Sequence, residues 1–149
     1  MKIAHNVRLS VFCHEGEDCA SIRKGLSVFI PFSLEDNRLS VSEKKAQGFE
    51  DRQIRIYDLF IQKDRLIRQF LESLKQKLGP ETIALILRQL DSRVDDDCRF
   101  FLRFDKQRLL EDDMLWLTDR GDCYHTAVSI AAYPARKEKA VKVVRDFFS

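Results

Sequence analysis

The sequence predicts an α+β fold: a single, mostly antiparallel sheet with amphipathic helices packed on one face. Three observations lead there. Stretches whose apolar residues alternate with period two come in neighbouring groups with short connections, which argues against an all-parallel sheet. Stretches with apolar residues at i, i+3, i+4 and i+7 separate those groups and close the chain. With 44% hydrophobic residues and only five glycines and three prolines in 149 residues, the chain can fill one core, and its composition is wrong for disorder. No repeat or linker divides it, so one domain over 1–149 is expected.

Residues 4–13 alternate, with His5, Val7, Leu9, Val11 and Cys13 on one face and Asn6, Arg8, Ser10 and Phe12 on the other. After the acidic turn 15–18, Asp18 or Ser21 can cap a helix carrying Ile22, Leu26, Phe29 and Ile30, limited by Pro31. A strand is expected over 38–45 and a loop after it. Another strand covers 53–62, with Ile54, Ile56 and Phe60 on one side and Tyr57, Leu59 and Ile61 making the other side apolar too. Leu66, Ile67, Phe70, Leu71, Leu74 and Leu78 define a helix that stops at Gly79. Pro80 opens a second helix with Ile83, Ile86, Leu87 and Leu90. Then Cys98, Phe100, Leu102 and Phe104 alternate with Arg99, Phe101 and Arg103. Strand-like stretches follow near 115–118 and 124–133, and a last helix carries Ala140, Val143, Val144 and Phe147.

The second faces of these strands collect Arg8, Ser10, Phe12, Ser40, Ser42, Lys44, Arg99, Phe101, Arg103, Trp116, Thr118, His125 and Ser129, with no acidic residue among them. Cations neutralise phosphates and flat rings stack on bases, so this mixture suits single-stranded nucleic acid. An ordinary solvated sheet face, a loop cover or a dimer interface would use similar residues. The last helix adds Arg136, Lys137, Lys139, Lys142 and Arg145, which either form a plain solvated surface or extend one basic footprint. The net charge of +2 leaves this question to charge placement.

Catalytic signals are missing. No glycine loop cradles a phosphate, and the histidines at 5, 14 and 125 form no nucleophile or zinc motif. His5 reads as a core histidine. Cys13, His14 and Cys19 lack the ligand count and spacing of a zinc site. Asp95, Asp96 and Asp97, with Asp105, do not converge on one ion. No catalytic residue, metal, cofactor or small-molecule substrate is expected. The four cysteines are read as free thiols, with Cys13 and Cys98 in the core. The longest apolar run, residues 83–87, is far short of a membrane span, and the N-terminus has no export-signal core. A cytoplasmic location is expected.

The stretch Arg103-Phe104-Asp105-Lys106-Gln107 follows V-D-D-D-C and precedes S-I-A-A-Y-P-A-R-K. With the opening A-H-N-V-R-L-S-V-F-C and the junction Leu78-Gly79-Pro80, this order of motifs resembles an archaeal family of RNA-binding domains, also named as a predicted exosome subunit. The resemblance spans nearly the whole chain. It implies a fold similar to ribosomal large-subunit protein five and a non-catalytic RNA-binding role. Arg103, Asp105, Lys106 and Gln107 match the family motif, as do Tyr133, Pro134 and Ala135. The expected RNA contacts are Arg8, Lys44, Arg99, Phe101, Arg103, Lys106, Gln107, Arg136 and Lys137. Asp105 has a structural reading beside this one: it can cap the next turn and pair with Arg103 or Lys106. Glu50-Asp51-Arg52 departs from the family's glycine-asparagine turn, and acidic residues there would weaken an RNA contact. The alternative function is a protein-assembly module whose open sheet face binds a partner or a second copy.

Overall fold

The computed structural model describes residues 2–149, without the side chain of Phe49. Five strands form one antiparallel sheet: β1 (Ala4–His14), β2 (Ser42–Gln47), β3 (Gln53–Ile61), β4 (Arg99–Asp105) and β5 (Cys123–Ile130). Their spatial order is β2-β3-β1-β5-β4. The helices are α1 (Cys19–Gly25), α2 (Asp64–Lys77), α3 (Pro80–Arg88), α4 (Leu90–Arg93), α5 (Lys106–Asp112) and α6 (Lys137–Phe148), with a 3-10 turn at Leu26–Phe29. The α+β architecture inferred from the sequence is the one observed.

The core is one cluster between the sheet and the helices. Val7, Leu9, Val11 and Cys13 from β1 meet Tyr57, Leu59 and Ile61 from β3, and Phe100, Leu102 and Phe104 from β4. Leu66, Phe70 and Leu74 of α2 and Ala140, Val144 and Phe148 of α6 cover them. Gly79, at φ 65°, breaks α2 from α3 and leaves Pro80 in the first turn of α3, as its sequence position suggests. Asp18 caps α1 by accepting from the Ser21 amide at 3.3 Å. Gly25 ends that helix beneath Tyr124: a Cβ there would come within 2.2 Å of the phenol oxygen, which donates to the Ile22 carbonyl at 2.6 Å.

Several sequence expectations are corrected. β3, for which the sequence left both faces open, packs Tyr57, Leu59 and Ile61 inward. Register with β1 pairs Val7 with Ile61, Leu9 with Leu59 and Val11 with Tyr57, so Ile54, Ile56 and Phe60 go to the open side. Both faces of this segment are apolar, so period alone could not choose between them. The strand expected over 38–45 lies at 42–47, is exposed throughout and leaves Ser40 outside it. His5 is exposed, because a register irregularity between Ala4 and Asn6 turns it out of the core.

Cys13 is buried as expected, yet it is not a free thiol. The tight turn 14–18 brings Cys19 to a Cα distance of 5.6 Å, and the two form a disulfide, which also removes them as metal ligands. Cys98 and Cys123 are free, and Cys98 is buried. Residues 106–112 form a helix that the sequence reading overlooked. The stretch 115–118 contributes only a bridge from Leu117 to Phe104, and the last strand ends at Ile130, short of Tyr133.

Candidate nucleic-acid interface

The helices leave one sheet face open. Antiparallel register places directly paired residues on the same face, so its rows follow from the pairings. One row runs Phe60, Arg8, Ala127, Phe101. The next runs Ser42, Asp58, Ser10, His125, Arg103. Lys44 and Ile56 lie beside Phe12 in a third. The 115–118 segment extends the face past β4. The Asp105 amide donates to the Trp116 carbonyl at 2.8 Å and the Thr118 amide to the Arg103 carbonyl at 2.9 Å, which leaves Trp116 and Thr118 on the open side. Trp116 is 51% exposed and Phe12 46%.

Rings and guanidiniums are layered here. Phe101 stacks on His125 with centroids 5.5 Å apart and planes 27° apart. The Arg99 guanidinium lies 5.7 Å from the Phe101 centroid, Arg8 lies 4.5 Å from that of Phe60, and Arg108 of α5 reaches Trp116 at 4.8 Å. Burial, with the Arg103 charge beside it, lowers the His125 pKa, so its ring is held neutral. Burial likewise pushes the Cys123 thiol up.

The face is not free of acid, contrary to the sequence expectation. Asp58 came over when β3 turned, and it pairs with Arg8. Arg99 reaches Asp95 at 3.1 Å and Asp97 at 3.4 Å. Asp105 spends its carboxylate on the cap of α5, accepting from the Arg108 amide at 2.9 Å, as the structural reading of that residue required. Arg103 and Lys44 have no ion pair among the described residues.

The nine predicted contacts therefore separate. Arg8, Lys44, Arg99, Phe101 and Arg103 stand on one face. Lys106 does not. It is 3% exposed, donates to the Phe12 carbonyl at 2.8 Å, and meets Glu17 at 3.0 Å and Asp122 at 3.6 Å. Gln107 is in the first turn of α5, bonded to Glu111 at 3.0 Å. Arg136 and Lys137 start α6, whose apolar stripe faces the core, so they belong to the helical layer; Lys137 lies 3.8 Å from Asp91. The basic surface of α6 and the open face are two surfaces.

His14 joins the Lys106 cluster, 3.0 Å from Glu17 and 3.6 Å from Asp122. These three could offer ligand atoms to one ion. The Lys106 ammonium already supplies the cation that their carboxylates need. Burial would raise the Glu17 pKa, but the His14 amide and Lys106 outweigh it and hold it low. Sequence reading missed this set because Lys106 and Asp122 lie far along the chain from His14 and Glu17. It also missed Arg93, although Ile86, Leu90 and Arg93 continue one helical stripe, and an arginine in such a stripe is a signal.

The molecule so described is an α+β protein whose sheet is bare on one side and carries guanidiniums and rings there. The chain belongs to the family described as RNA binding, which matches residues 6–133. It is 28% identical over 144 residues to the RNA-binding protein PAB1135 of Pyrococcus abyssi, covering 97% of this chain and 93% of that one. Among solved structures it is similar to protein AF2318 of Archaeoglobus fulgidus, a DUF54 family member (26% identity, TM-score 0.85, 98% and 99% of the two chains). Protein SSO0741 of Sulfolobus solfataricus, of the same family, superposes with a TM-score of 0.72 at 29% identity, over 95% and 98%.

Proposed function

We propose that this chain is a single-domain, non-catalytic RNA-binding module that lays single-stranded RNA across its open sheet face. The observation that carries this reading is the row structure of that face, with Arg8, Lys44, Arg99 and Arg103 interleaved with Phe12, Phe60, Phe101 and Trp116. Phosphates would meet the cations, and bases would lie on the exposed rings. Membership of an RNA-binding family supports the choice of RNA, and the similar protein PAB1135 is named as RNA-binding too. From the family resemblance we place the module beside an RNA-processing assembly such as the exosome, with a likeness to ribosomal large-subunit protein five; a cytoplasmic location fits that role. No helix among the described residues is long and apolar enough to cross a membrane.

RNA binding by the purified protein at two salt concentrations tests this reading. Affinity should fall by about 0.7 log units per tenfold rise in salt for each single-strand phosphate contact. Salt-independent binding, or a stable dimer in sedimentation that excludes RNA, would replace the proposal with the assembly module.

A further inference from the structure

Beyond the outer edge of β4 lies a cleft of about 420 Å³, lined by Gln89, Ser92, Arg93, Phe101, Arg103 and Asp119. Its floor holds an unusual charge. The Arg93 side chain is 9% exposed. Gln89 Oε1 accepts from its Nε at 2.9 Å and its Nη2 at 2.6 Å, while its Nη1, which keeps contact with the solvent of the cleft, has no hydrogen bond among the described residues. Gln89 is neutral, so these bonds satisfy donors without balancing charge. The nearest carboxylate is Asp119, at 3.9 Å on a side chain that is 86% exposed. At that distance and exposure Asp119 balances the Arg93 charge only in part. Burial lowers the Arg93 pKa; Asp119 opposes that shift and Arg103, on the same cleft, adds to it.

A buried cation left unbalanced is costly. The group that would balance guanidiniums lining one cleft is a phosphate monoester or diester, whose oxygens match their fork geometry. Phe101 lines the same cleft and carries the stacked His125 ring, so a base or ribose has a flat surface beside that anion. We propose that this cleft is a phosphate seat, in which Arg93 and Arg103 grip one phosphate of a nucleotide packed against Phe101, and from which Asp119 is displaced. The proposal rests on the RNA reading above and names where one phosphate goes. Its source is either a terminal monoester or an internal diester.

Titration of the full chain with adenosine 5′-monophosphate, adenosine and inorganic phosphate, followed by the Arg93 Nε–H resonance, tests the seat. Two RNA oligonucleotides that differ only in a 5′-phosphate test the source. The monophosphate and inorganic phosphate should shift Arg93, and adenosine should not. Arg103→Ala should weaken the monophosphate at least tenfold. Asp119→Asn should tighten it at least threefold, whereas Asp112→Asn, the same charge change on α5, should alter it less than twofold. A 5′-phosphate that tightens RNA more than fivefold identifies the terminal group. Equal RNA affinities, both responding to Arg103→Ala and Asp119→Asn, identify the diester. The seat is overturned if Asp119→Asn and Asp112→Asn act alike, or if Arg93 does not respond to the monophosphate. RNA binding that persists in that case leaves the functional reading standing. A seated monophosphate without any RNA binding would sink the functional reading and keep the cleft.

Discussion

Lys106 and Arg103 are cations three positions apart at the end of β4, and they stand in opposite surroundings. Lys106 points into a niche where Glu17, Asp122 and the Phe12 carbonyl surround its ammonium. Arg103 points to the open face with no ion pair among the described residues, beside a second guanidinium held by a neutral amide. Charge therefore has two uses here. Where the chain brings its own carboxylates to a cation, the cation joins chain segments. Where it brings only a glutamine and a distant aspartate, the charge is left for something else to balance. Both residues belong to one family-like motif, and the motif alone does not separate the two uses.

The largest effect should come from breaking the first region. Lys106→Met leaves Glu17 and Asp122 with His14 as their remaining partner and the Phe12 carbonyl without its ammonium donor. A loss of about 2–4 kcal/mol is expected in chemical denaturation, at the lower end because both carboxylates keep solvent contact. RNA affinity of the folded protein should stay within about twofold. A stable Lys106→Met variant that loses RNA binding would erase the distinction.

Next comes the disulfide, which closes the loop carrying Glu17. In non-reducing buffer, Cys19→Ser should cost about 2 kcal/mol, the loop entropy of a bridge with a sequence separation of 6. In reducing buffer, wild type and variant should unfold together, and neither condition should alter RNA affinity.

On the open face, Phe12→Ala should reverse the pattern. Its ring is 46% exposed, so stability should change by about 0.5 kcal/mol or less. RNA affinity should weaken by about 1–2 kcal/mol if a base stacks there. Filter binding and thermal unfolding of the same sample separate the two readouts.

The smallest effect is in pH. The folded state holds the His125 pKa below its ordinary value, so on acidification the unfolded chain takes up that proton first. His125 therefore lowers stability as pH falls through about 6.5, the unfolded value. Glu17, whose pKa is also lowered, adds a second loss further into the acid range. Unfolding midpoints at about pH 7.5 and pH 5.5 should converge in His125→Phe relative to wild type. A wild-type His125 titrating above 6.5 by NMR would contradict this.

Much of this was legible in the chain. The alternation in residues 4–13 and 99–104 gave two strands their core faces. The stripes of α2 and α6 and the Gly79-Pro80 break were readable because period and punctuation are local. The basic and aromatic side of β1 and β4 followed from the same alternation. The segment 53–61 was ambiguous because both of its faces are apolar, and that ambiguity hid Asp58. Helix α5 was missed because Asp105 was read as a turn cap, although an aspartate caps a helix by the same bond.

By itself, the sequence determined the fold class, most helices, the core stripes and the basic-aromatic composition of one sheet side. Only the tertiary structure decided which face β3 buries, that Cys13 and Cys19 are joined, that Lys106 is an internal tie, and that Arg93 and Arg103 share a cleft. The physical reason is range. Period and capping act over a few residues and leave their mark on neighbouring letters. Charge balance depends on which distant segments the sheet order β2-β3-β1-β5-β4 brings together. Glu17, Lys106 and Asp122 are separated along the chain and meet only when β1, α5 and β5 close on one another.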